Sequence, residues 1–309
     1  MIFPAILQGQ IATQAANIIG SPTDFRGLQN RTDKRLRIDE IRFQIVRADR
    51  VGVGRLTPTA DGAFTSRIQL RIGNTPITAD LVPVPSMTWP IDHFIEDANG
   101  LTGFTSVQQG YYLRFSKPVH IEPGEAIMVR WLHTATTAQR LTVTAICREA
   151  NPADGQGFIP WITKWIPTVH TDGTGNFIDE STPADLVNPF DDTILVERLI
   201  GRLWWGSMAS GNLREIGKEN PPAIDQQPIL PFDTFRVKAE DHEGTQIVRD
   251  ATPFGVVFEF IRKSWAVNAT LAPKGFYRVT LEARLATQVV DGTPQPITPF
   301  IGMLGYRAR

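Results

Sequence analysis

At 309 residues the chain is too long for one typical β-sandwich and comfortable for two domains. Hydrophobic residues make up 42% and charged residues 20%, which excludes a disordered chain and a coiled coil, and the formal net charge of −1 leaves little electrostatic basis for holding nucleic acid. The single cysteine, Cys147, excludes an internal disulfide framework and fits a reducing cytoplasm; no apolar run is long enough for a membrane-spanning helix.

Residues 1–10 carry no basic residue ahead of their apolar positions, which argues against a secretory signal peptide. Phe3, Ile6, Leu7, Ile11, Ala15 and Ile18 recur at helical spacing, so residues 1–30 read as an amphipathic helix, weakened by Gly9, or as an arm lying on the surface. From there the dominant period is two. Leu36 and Ile38 are in one register and Ile41, Phe43 and Ile45 in the other, which predicts a β-bulge near Asp39 and Glu40. Ile68, Leu70 and Ile72 alternate with arginine and glutamine. Residues 89–98 predict a short helix, with Pro90 in its first turn and Ile91, Phe94 and Ile95 facing inward. Ile127, Val129 and Trp131 alternate with Met128 and Arg130, and Leu141, Val143 and Ala145 lead into Cys147, a buried small hydrophobe rather than a nucleophile. Phe235, Val237 and Ala239, then Tyr277, Val279, Leu281, Ala283 and Leu285, continue the pattern. One-sided burial of this kind marks antiparallel sheets. Two long polar segments, residues 47–63 and 206–230, lie between strands and read as contact surfaces or site walls.

Residues 151–157, Asn-Pro-Ala-Asp-Gly-Gln-Gly, form the best linker candidate, almost at the midpoint. The halves on either side are alike. Ile121-Glu122-Pro123-Gly124 turns into the strand from Ile127 to Trp131. Leu271-Ala272-Pro273-Lys274-Gly275 turns into the strand from Tyr277 onward, matching with a one-residue insertion. Residues 111–115 and 256–260 precede these turns, and the long strands 36–46 and 194–205 open the two halves. The expected organisation is an arm or helix over 1–30, a first jelly roll over 31–150, a linker over 151–157, a second jelly roll over 158–290 and a tail over 291–309, the product of domain duplication.

Chemistry-bearing patterns are sparse. His93, His120, His133, His170 and His242 contain no closely spaced metal-binding pair; His120 and His133 flank one turn and read as ordinary polar residues. Asp172, Thr174, Asn176 and Glu180 imitate a calcium loop, but Phe177 stands where glycine is required and Pro183 where the bidentate glutamate belongs. Asp191-Asp192 and Glu240-Asp241 are adjacent pairs that read as solvated turns. Arg31, Lys34, Arg35 and Arg37 are diluted by Asp33, Asp39 and Glu40, so no nucleic-acid patch is assigned. Trp161, Trp165, Trp204 and Trp205 read as core or interface, with a sugar platform as the competing reading. No catalytic, cofactor-binding or metal residue is assigned, and the chain is expected not to be an enzyme.

The matched segments 121–131 and 271–281, the linker 151–157 and the loop 206–230 resemble a double jelly-roll major capsid protein of a tailless icosahedral virus or bacteriophage. The resemblance covers nearly the whole chain as architecture. It implies a homotrimer with a pseudo-hexagonal outline, neighbouring capsomers and penton or minor capsid proteins as partners, and in many members an internal lipid membrane. It also implies a virion location after synthesis in the host cytoplasm, and no sequence-specific grip on nucleic acid. Two alternatives stand beside it: a two-sandwich protein that cleaves or binds glycans, marked by carboxylates converging near the tryptophans, and a bicupin-like metalloenzyme, marked by bound metal.

Overall fold

The computed structural model describes residues 5–14, 26–47, 66–79, 81–83, 89–90, 109–133, 139–165, 184–205, 214–215, 235–258, 264–283, 287–290 and 293–308. They are almost entirely β. In chain order the strands of the first half are β1 (Ala5–Gln14), β2 (Arg26–Gln29), β3 (Leu36–Arg47), β4 (Ser66–Ile72), β5 (Thr75–Pro76), β6 (Val82–Pro83), β7 (Trp89–Pro90), β8 (Gln109–Ile121), β9 (Ala126–His133) and β10 (Gln139–Glu149). Those of the second are β11 (Phe158–Trp165), β12 (Ala184–Val187), β13 (Ile194–Trp205), β14 (Arg214–Glu215), β15 (Phe235–Asp241), β16 (Gln246–Pro253), β17 (Ser264–Leu271), β18 (Phe276–Ala283), β19 (Thr287–Val290) and β20 (Thr293–Ala308). One short helix, α1 (Phe254–Phe258), leads toward β17.

The pairing defines the fold. In the first half one sheet runs β1-β10-β3-β8 and the other β2-β9-β4-β5. Counting only the eight principal strands, these are the orders 1-8-3-6 and 2-7-4-5, a jelly roll. The second half repeats it: β11-β20-β13 with β17 on the far side of β13, and β12-β18-β15-β16. The chain is a double jelly roll.

Each roll has its own core, built by the alternation read from the sequence. In the first, Ile68, Leu70, Ile127, Val129, Trp131, Leu141 and Val143 are fully buried; in the second, Val237, Ala239, Tyr277, Val279 and Leu281 are 2% exposed or less. The bulge expected in the first long strand is present. Against β10, Ile146 faces Glu40 and Cys147 faces Ile38, so Asp39 is the extra residue. Leu36, Ile38, Ile41 and Phe43 consequently share one buried face despite the phase change. Cys147 is 1% exposed, and burial, with Asp39 adding to it, pushes its thiol up to about 12. It is an inert core residue.

Four expectations are corrected. Residues 5–14 are neither helix nor free arm but the first strand of the first roll, paired with β10 from Ala5 opposite Cys147 to Gln14 opposite Gln139. A tertiary ladder outweighs a helical spacing that Gly9 and β-branched residues already weaken. The first roll therefore begins before residue 31, with β1 and β2 both inside it. Trp89 and Pro90 form a strand opposite Tyr112 and Tyr111 rather than a helical turn; residues 91–98 lie outside the described set. Residues 256–258 belong to α1 and are not the counterpart of residues 111–115 in β8. Finally, residues 293–308 are not a tail but the eighth strand of the second roll, between β11 and β13. Residues 301–306 are buried in succession, so the period-two signature is missing there.

Contacts divide the chain into one unit of residues 1–162 with 306–309 and another of residues 163–305. Residues 151–157 hold a 3-10 turn, Pro152–Asp154, capped by Asn151.

Candidate functional site

The two rolls share the same polarity. In each roll taken by itself, strand order makes the connections after the first, third, fifth and seventh strands leave from one end; they include 48–65 and 206–234, the latter interrupted by β14. The connections after the second, fourth and sixth strands are short and form the opposite end: 30–35, 73–74 and 122–125 in the first roll, 188–193, 242–245 and 272–275 in the second. Polar chemistry among the described residues concentrates at this short-turn end.

Its centre in each roll is a buried asparagine. Asn30 is fully buried just after β2; its Nδ2 donates to the carbonyls of Lys34 (2.8 Å), Glu122 (3.2 Å) and Ile121 (3.3 Å), and its Oδ1 accepts from the Thr32 N–H. Asn188 is fully buried just after β12; its Nδ2 donates to Asp192 (2.9 Å), Ala272 (2.9 Å) and Leu271 (3.3 Å), and its Oδ1 accepts from the Phe190 N–H. One side chain in each roll thus pins the second connection to the sixth and satisfies carbonyls that would otherwise be buried unpaired. Sequence reasoning missed both. The signal is a common offset of 158 residues, along which Leu28, Asn30, Leu36, Ile38 and Ile41 become Leu186, Asn188, Ile194, Val196 and Leu199.

The turn each asparagine holds is the one recognised in the sequence, but its alignment is gapless. Glu125 N–H donates to the Glu122 carbonyl around Pro123-Gly124, and Gly275 N–H to the Ala272 carbonyl around Pro273-Lys274. Gly124 has φ +80° and Lys274 φ +58°. The offset is 150 without insertion; Lys274 occupies the left-handed position and Gly275 does not. The Lys274 ammonium contacts the Pro189 carbonyl (2.6 Å) and Asp191 (3.0 Å).

A charge cluster fastens the linker turn to the first roll. The Asp154 carboxylate, 7% exposed, accepts from Arg148 on β10 (2.5 Å) and Arg37 on β3 (2.7 Å), and from the Asn151 N–H (2.8 Å). Asp39, displaced outward by the bulge, flanks both arginines at 3.1 Å and 3.6 Å. Hydrogen bonding to Arg148, opposed by burial and helped by the Asn151 N–H and Arg37, holds the Asp154 carboxyl far below the usual carboxylate range. One residue on, the buried carboxylate of Glu40 binds Arg42 (2.5 Å) and Arg114 (2.9 Å).

The residues singled out in the sequence do not converge. His120 is buried on β8 near the turn, while His133 ends β9, roughly 23 Å along the strand from that turn, so flanking the turn does not bring them together. His242 is exposed in the β15–β16 turn; His93, His170 and the calcium-like segment 172–183 lie outside the described residues. Asp191 and Asp192 are exposed in a turn, and Asp241 caps its own turn by accepting from Glu243 and Thr245 N–H. Three of the four basic residues of the run are paired locally: Lys34 with Glu149, Arg35 with Glu122, Arg37 with Asp154. Trp161 is buried on β11; of Trp165, Trp204 and Trp205 only the backbone is described, on β11 and β13. Among the described residues no group of three metal-binding side chains gathers, and no helix is long and apolar enough to cross a membrane.

No family model matches the chain, and no curated protein matches it. Solved structures do. PBCV-1 VP54, as fitted into a reconstruction of the virophage Sputnik, aligns with TM-score 0.46 and 9% identity over 100% of this chain and 94% of its own. The major capsid protein of bacteriophage PM2 aligns with TM-score 0.44 and 6% identity over 99% and 98%. The STIV MCP aligns with TM-score 0.46 and 10% identity over 98% and 96%. By its own strand order the chain is a double jelly roll, similar along its whole length to the major capsid proteins of these viruses.

Proposed function

We propose that this chain is the major capsid protein of an icosahedral virus and that its function is to assemble. The observation that carries the reading is the duplication: one eight-strand order, one asparagine pin and one proline turn occur twice in a single chain. A chain with two similar modules gives a ring of six modules from three copies, so a homotrimer acquires a pseudo-hexagonal outline that tiles a shell. Jelly rolls occur in viral capsid proteins, lectins and cupins. The lectin reading needs an open aromatic platform, and Trp161 is 5% exposed.

On this reading the partners are further copies of the chain, neighbouring capsomers, and penton or minor capsid proteins. The protein resides in the virion after synthesis in the host cytoplasm and performs no catalysis. Near-neutral charge suits it, because many copies pack side by side without accumulating repulsion. Electron microscopy of the purified protein and its native source, with light scattering on released capsomers, tests this. Trimers and closed shells are expected; a strictly monomeric mass at every concentration ends the proposal.

A further inference from the structure

Strand β1 is the edge of its sheet: among the described residues it pairs with β10 alone. Its sequence, Ala-Ile-Leu-Gln-Gly-Gln-Ile-Ala-Thr-Gln, contains no charge and no proline over ten residues. An edge of that length and composition offers a row of backbone donors and acceptors to another strand, and proteins ordinarily blunt such edges. This chain does so elsewhere. The corresponding edge of the second roll, β11, carries Pro160 and Lys164. The uncharged edge β17 is bent at Asn268, whose φ is +48°. The other described edges are four residues or shorter, such as the uncharged β19, or carry charges, such as Arg26 on β2, Asp185 on β12, and Arg249 and Asp250 on β16. Among the described edges β1 is the longest without charge or proline, and unlike β17 it has no residue at positive φ.

The occupant is written in the strand itself. Read outward from Gly9, the sequence is nearly the same in both directions: Gln8 and Gln10, Leu7 and Ile11, Ile6 and Ala12. Antiparallel pairing of two copies about Gly9 sets like residues opposite like, as a twofold contact requires. We infer that β1 is a self-pairing edge through which a second copy of this chain adds its own β1 antiparallel, centred on Gly9. The bulge against β10 at Ile11 bounds the flat stretch, so the ladder is short and the contact reversible. In the proposed shell this is a junction between capsomers, distinct in kind from the heterologous contact that closes a trimer ring; its meaning rests on that reading, its existence does not.

Full-length variants test it. Gln8→Lys with Gln10→Lys puts like charges opposite each other twice, and weakens self-association on the order of tenfold. Gln8→Lys with Gln10→Glu puts opposite charges in the same positions and restores it. Gly9→Cys forms a disulfide-linked dimer under mild oxidation, because residues directly opposite in an antiparallel pair have Cα separations within disulfide range; Ala5→Cys does not. Sedimentation across concentrations reads the association, and thermal melting checks that each variant folds. Should the lysine variants fail to fold, hydrogen exchange on the unaltered chain decides: β1 amides gain protection with concentration if the pairing exists. Equal association of both charge variants, no Gly9→Cys dimer, or concentration-independent exchange overturns the inference. Shells without β1 pairing refute this contact and leave the capsid reading standing; β1 dimers without shells do the reverse.

Discussion

At Lys274 the second roll holds a non-glycine residue at φ +58°, where the first roll has Gly124. Left-handed backbone costs a side-chain-bearing residue about 1–2 kcal/mol. Gly124→Ala is therefore expected to destabilise the first roll by about 1–2 kcal/mol in urea unfolding, although no atom lies within 4 Å of the added carbon. Lys274→Gly is expected to be neutral or stabilising by up to about 1 kcal/mol, since it relieves the same strain and gives up only exposed contacts. The asparagine pins carry more. Asn30→Ala or Asn188→Ala strands several carbonyls and should cost about 2–4 kcal/mol, read from the unfolding midpoint. Asp154→Asn breaks a half-buried ion cluster, at a cost of about 1–3 kcal/mol at pH 7. The folded carboxyl titrates below its unfolded value, so its stabilisation is full above the ordinary carboxylate pKa and is lost as pH falls toward the folded one. Wild type and Asp154→Asn should accordingly differ at pH 7, and the gap should begin to narrow only as pH falls below about 4, shrinking progressively toward the folded pKa.

Among the elements, the third strand shows how one duplicated plan was repacked. The 158-residue offset carries Phe43, fully buried on β3, onto Gly201 on β13. A β-carbon at Gly201 would lie 2.3 Å from the ring of Phe258, which α1 delivers and which packs, tilted by 47°, against Phe254 at a centroid distance of 4.5 Å. The second roll fills from a helix the volume that the first fills from a strand, so Gly201 and Phe258 are one packing decision. Gly201→Ala is expected to destabilise by about 1–3 kcal/mol through overpacking, and Phe258→Leu in the same chain should recover part of it. A thermal shift with no recovery would separate the two residues. The bulge belongs to the same plan. Register shifts beside Asp39 in β3 and beside Glu197 in β13 stand at equivalent positions, each with an acidic residue at the break.

At the scale of the whole molecule, the polarity of the rolls governs what each end can do. Short pinned turns tie one end of each roll together, while the long connections leave the strands from the other. Shortening the segment 216–234, between β14 and β15, is therefore expected to leave unfolding of the described core within about 1 kcal/mol of wild type while altering assembly. A loss of core stability, seen in the unfolding transition, would give that segment a structural role instead.

Alternation alone determined that this chain is all-β. Period two in residues 68–72, 127–131 and 277–281 admits no other regular structure with one wet face, and the phase change at Asp39 required a bulge. The repeated proline turn disclosed the duplication. Three things were decided only in tertiary structure. The strand β1 exists because β10 offers it a ladder, and β20 is a strand although its buried run hides the alternation; in both, long-range pairing outweighs local pattern. The turn alignment followed backbone dihedral angle rather than residue identity, so a lysine stands where the sequence suggested a glycine. The long-range bonds of the pins and of the Asp154 cluster join residues 83 to 117 positions apart, and no local reading reaches across that distance because the partners are backbone carbonyls, which every residue carries, or charges whose proximity is a product of the folded chain.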